Sequence, residues 1–75
     1  MYKVYKNEDN EYCILRGNEI YIKDQYSDWE LEATPAHYLK QFEGALALEL
    51  IQCIYRSKSL AKAKGFAKME ALLDV

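Results

Sequence analysis

Residues 12–23, Tyr-Cys-Ile-Leu-Arg-Gly-Asn-Glu-Ile-Tyr-Ile-Lys, are two β-rich runs joined by Gly17-Asn18. A two-residue loop of this composition favours the primed turns, whose twist matches that of paired strands. Such a loop sets the register locally. It places Arg16 opposite Glu19, Leu15 opposite Ile20, Ile14 opposite Tyr21, Cys13 opposite Ile22 and Tyr12 opposite Lys23. Side chains alternate between faces along a strand. One face therefore collects Cys13, Leu15, Ile20 and Ile22. The other collects Tyr12, Ile14, Arg16, Glu19, Tyr21 and Lys23, with Arg16 and Glu19 as an opposite-charge pair. The first face is the more uniformly apolar and is expected to be the buried one.

Residues 2–6 read as a further strand, and Asn7-Glu8-Asp9-Asn10 is turn chemistry. A four-residue turn over 7–10 would set Val4 opposite Cys13 and Tyr2 opposite Leu15, adding both to the same apolar face. Strands are thus expected over about 2–6, 11–16 and 19–23. Residues 24–33 have no clean period and read as a connection. Thr34 and Pro35 then open a helix as cap and first residue. Leu39, Phe42, Leu46, Leu50, Cys53 and Ile54 follow the helical period, so this helix is expected over about 35–56. Ser59 caps a second helix to about residue 73, with Leu60, Ala63, Phe66, Ala67, Met69, Leu72 and Leu73 as its apolar residues. The expected fold is α+β: a three-stranded antiparallel meander followed by two α-helices packed on one face, in a single small domain over 1–75.

Chemistry-bearing constellations are sparse. His37 is the one histidine, so a nucleophilic triad or a histidine-rich metal site has no second imidazole to draw on. The acidic residues Asp24, Asp28, Glu30 and Glu32 surround Trp29 in the connection, without the DxDxDG spacing of a calcium loop. Gly17, Gly44 and Gly65 are isolated, so no phosphate-binding loop is present. Cys13 and Cys53 form no CxxC pair and are expected to be reduced packing residues. No enzyme, cofactor or metal is expected. The apolar run near residues 45–55 is interrupted by Glu49 and Gln52, so no membrane span is expected, and no signal-peptide pattern suggests secretion.

What remains is an interaction protein. Residues 1–34 carry four basic and eight acidic groups, and residues 35–75 carry six basic and four acidic ones. Arg56, Lys58, Lys62, Lys64 and Lys68 make the last helix basic. The net charge of −2 opposes duplex binding, so direct nucleic-acid binding is not expected. Polarity of this kind orients head-to-tail association. Tyr5, Tyr12, Ile14 and Tyr21 fall on the face opposite the expected core. With Trp29, and with Lys62, Lys64 and Lys68 for charge, they are the expected protein interface.

Several of these features occur in an order that resembles a known family. Gly17, Asn18, Ile20 and Tyr21 form a Gly-Asn-x-Ile-Tyr hairpin, followed by an acidic aromatic connector with Tyr26, Asp28 and Trp29. Then comes Phe-x-x-Ala-Leu-Ala-Leu-Glu-Leu, from Phe42 to Leu50, and finally Ser59 opening an Ala/Lys-rich helix. Over residues 11–73 this is similar to the C-terminal part of bacteriophage head–tail adaptor proteins of the tail tubular protein A type. Members of that family carry a helical region before the hairpin, whereas this sequence starts almost at the sheet. The resemblance implies a non-enzymatic structural protein at the phage head–tail junction, with itself or other virion proteins as partners, placed in the host cytoplasm or virion. The acidic half of one subunit would meet the basic last helix of its neighbour. The alternative is a small phage-encoded inhibitor or adaptor of a host protein, with Asp24, Asp28, Glu30 and Glu32 imitating nucleic-acid phosphates.

Overall fold

A computed structural model of the chain describes residues 1–23, 29–32 and 36–73. The fold is α+β. Its strands are β1 (Tyr2–Asn7), β2 (Tyr12–Arg16), β3 (Glu19–Lys23), β4 (Trp29–Glu32) and β5 (Ile51–Ser57), and its helices are α1 (Ala36–Ala47) and α2 (Leu60–Leu73). The expected three-stranded meander is therefore part of a larger sheet. Five strands lie in the order β4-β3-β2-β1-β5, and every neighbouring pair is antiparallel.

The β2–β3 hairpin has the register that its loop dictates, from Cys13↔Ile22 to Arg16↔Glu19. Gly17 takes φ 57, a left-handed conformation that costs glycine little. The guanidinium Nη2 of Arg16 donates to Glu19 Oε2 at 3.1 Å.

The β1–β2 register differs by one residue from the expected one, with Val4↔Ile14 and Tyr5↔Cys13. The cause is the turn. Asn7 N–H bonds Glu11 O, and Asn10 N–H bonds Asn7 O, so three residues close the loop rather than four. Asn10 takes the left-handed position at φ 61, as three-residue hairpin loops require. The Asn7 side chain holds the loop by accepting from Asp9 N–H at 2.9 Å and Glu11 N–H at 2.8 Å. A one-residue slip moves every β1 side chain to the other face. Val4 thus joins Ile14, and Tyr5 joins Cys13.

The principal core lies on the face opposite the expected one. Tyr2, Val4, Tyr12, Ile14 and Tyr21 are buried there with Ala63 and Ala67 of α2. Tyr21, Ile14, Val4 and Tyr55 form one cross-strand row through β3, β2, β1 and β5. The two alanines have no exposed surface, and their small size lets the helix lie close on that row. Phe66 stacks on Tyr55 with ring centroids 4.2 Å apart. Lys64 Nζ stands 5.6 Å from the Tyr21 ring centroid. Hence one flank of α2 faces β5 and the other faces β3.

The expected helix over 35–56 stops at Ala47. Leu50 N–H bonds Ala45 O, Glu49 N–H bonds Leu46 O, and Glu49 is left-handed at φ 59. This is the Schellman pattern that ends helices. The chain then turns into β5 beside β1, so the two helices do not share one face. Phe42 of α1 meets Tyr5 edge-on at 4.9 Å, on the face that also buries Ile20. Strands β4 and β5 run in the same direction at opposite edges, so the connection must cross the sheet. Twelve helical residues span about 18 Å, close to the roughly 19 Å of four strand spacings.

α2 begins where expected. Ser59 O accepts from Ala63 N–H, and Ser59 Oγ accepts from Lys62 N–H at 3.3 Å. The cap thus satisfies a first-turn donor that the helix itself cannot. The cap expected at Thr34-Pro35 lies outside the described residues.

Candidate functional site

The aromatic cluster expected at an interface is internal. Tyr5, Tyr12, Ile14 and Tyr21 are at most 8% exposed. Tyr12, Ile14 and Tyr21 lie under α2, and Tyr5 lies on the reverse face against Phe42. Their burial corrects the expectation that they are free for a partner. The slip in β1 and the reversed core face account for it. Burial raises the Tyr21 phenol above its ordinary pKa, with the neighbouring Glu19 carboxylate adding to the effect. Tyr5 is raised chiefly by burial as well, then by the Cys53 and Cys13 thiols, with Arg56 opposing.

Of the expected charged residues, Asp24 and Asp28 lie outside the described residues. Trp29, Glu30 and Glu32 fall on β4, opposite Lys23, Ile22 and Ile20 in register, and Glu30 is exposed. Lys62, Lys64 and Lys68 separate on α2. Lys64 is half-buried over Tyr21, whereas Lys62 and Lys68 are exposed. The structure does not bring the three lysines into one patch.

What it exposes is apolar. Met69, Leu72 and Leu73 at the end of α2 are 65%, 68% and 75% exposed. Beside them an open groove of about 530 Å³ runs between α2 and β5, lined by Tyr55, Phe66, Met69 and Leu72 and flanked by Lys62 and Lys68. Large apolar side chains gathered in this way mark contact surfaces. The sequence reading missed this groove. The signal was present, because Phe66, Met69 and Leu72 cover more of the helix circumference than one buried stripe needs.

Cys53, expected to pack in the core, is exposed on β5, and Cys13 is half-buried on β2. Both stand directly opposite Tyr5, one on each side. Two strand spacings of about 10 Å separate them, beyond the reach of a disulfide. Burial pushes the Cys13 thiol up to about 11. Among the described residues no group of three His, Cys, Asp or Glu could hold a metal ion, and no helix is long and apolar enough to cross a membrane. No family model, curated protein or solved structure matches the chain.

Proposed function

We propose that the chain is a non-enzymatic structural module that assembles with copies of itself, in the manner of the phage head–tail adaptor proteins that residues 11–73 resemble. The observation that carries this reading is the open groove beside β5, with Tyr55, Phe66, Met69 and Leu72 on one side of a helix whose other side is already packed. In a chain of 75 residues the internal core is small, and burial between copies adds stability that the single chain lacks. Lys62 beside the groove favours an acidic neighbour, and the strand half of the chain is acidic.

Light scattering across concentration tests the reading. The wild-type mass is expected to rise above 8.8 kDa with concentration and to fall again in high salt, where exposed charges are screened. The double substitution Met69→Asp with Leu72→Asp changes only exposed positions and is expected to hold the chain at the monomer mass. A wild type that stays monomeric at every concentration in low salt would sink the proposal.

A further inference from the structure

We infer that each copy meets the next edge to edge, with β4 of one chain set parallel to β5 of another. This rests on the reading of the chain as a self-assembling module and names the contact. Among the described residues no strand pairs with the outer edge of β4 or of β5. Unpaired edges are ready templates for another strand. Because β4 and β5 run in the same direction, a second copy in the same orientation continues the sheet and keeps its faces aligned.

Charge selects this pairing over the others. Glu32, Ile20, Leu15, Lys3 and Arg56 form a single cross-strand row over all five strands. The row begins on an acid and ends on two bases. Lys3 and Arg56 stand directly opposite one another, a like-charge juxtaposition that is unfavourable on its own. The row continued into a neighbour sets Arg56 beside Glu32 of the next copy. Pairing β4 with another β4 about a two-fold centred on Leu31 would oppose Glu30 and Glu32. Pairing β5 with another β5 would leave Arg56 without an acidic partner, because Ile51–Ser57 holds no acidic residue.

The groove adds a second argument. It opens on the β5 side of α2, where Phe66 rests on Tyr55. A neighbour extending the sheet past β5 brings its own β4 and β3 beneath Met69 and Leu72. One copy thus covers both the free edge and the apolar groove. The contact is head-to-tail, so growth continues until it closes as a ring or runs on as a filament.

Charge exchange tests the pairing by light scattering in low salt. Arg56→Glu and Glu32→Arg alone are each expected to weaken assembly about tenfold or more, from lost attraction and added repulsion. The size-conserving Arg56→Gln and Glu32→Gln should shift it in the same direction by less. An equimolar mixture of Arg56→Glu and Glu32→Arg, and the double variant, should both recover assembly. Single variants that assemble like wild type overturn the pairing, as does failure to recover with both proteins folded by circular dichroism. If Met69→Asp with Leu72→Asp still blocks assembly in that case, the self-assembling module stands and the edge contact alone is lost. A monomeric wild type removes both.

Discussion

Among single residues the two cysteines differ most in setting. Cys53 is exposed on β5, and Cys13 is half-buried on β2 with its thiol raised to about 11. The thiolate is the reacting species, so an alkylating reagent at pH 8 is expected to label Cys53 well before Cys13 in the native chain. Mass spectrometry of timed samples checks the order. The same shift carries a pH dependence. The unfolded thiol loses its proton near its ordinary 9.0 while the folded one keeps it to about 11. The folded state therefore binds more protons in that window. Its contribution is complete below pH 9 and is lost as pH rises through 11, by at most about 2–3 kcal/mol. Cys13→Ala should flatten that part of the stability profile relative to wild type, measured by urea unfolding at pH 8, 9.5 and 11. Labelling of both thiols at one rate would contradict the burial described for Cys13.

Elements were legible in the sequence where the signal was local and obscure where it depended on a partner. The β2–β3 hairpin follows from Gly17-Asn18, and α2 follows from the Ser59 cap. The buried face was not legible, because the sheet is covered on both sides and both sides carry apolar residues. Ile20 is buried on one, and Tyr12, Ile14 and Tyr21 are buried on the other. The β1 register turned on whether three or four residues close the first loop, and Asn10 at φ 61 decided it. β5 was obscured because Leu46, Leu50, Cys53 and Ile54 happen to sit at helical spacing. The stop signal before β5 is a left-handed Glu49 where such positions usually hold glycine. The groove was missed for a related reason, since Tyr55 was assigned to a helix instead of the strand that forms its wall. The Glu49 conformation makes a prediction. A left-handed residue with a Cβ costs about 1–2 kcal/mol, partly offset in glycine by the entropy of its unfolded chain. Glu49→Gly is expected to raise stability by about 1 kcal/mol, read as a higher urea midpoint with unchanged slope. Destabilisation would mean that the Glu49 side chain holds the α1–β5 junction in some other way.

At the scale of the molecule, no strand among the described residues pairs with the outer edge of β4 or of β5, edges of opposite charge, and an open apolar groove lies beside β5. A chain of 75 residues buries only about 60% of the surface that its unfolded form exposes. Folding and assembly should therefore be coupled. A neighbour that binds the folded chain and not the unfolded one stabilises it by mass action, by about 2.7 kcal/mol at a hundredfold excess over the dissociation constant. Urea unfolding of wild type at about 1 µM and about 100 µM, roughly a hundredfold span of neighbour concentration, should show a higher midpoint at the higher concentration. The Arg56→Glu chain, with the same core and a mismatched edge, should show nearly the same midpoint at both. Equal midpoints for wild type would mean that the single chain is as stable as the assembly, and that the groove and the edges contribute nothing to folding. A concentration dependence retained by Arg56→Glu but lost by Met69→Asp with Leu72→Asp would assign the coupling to the groove and not to the strand edge.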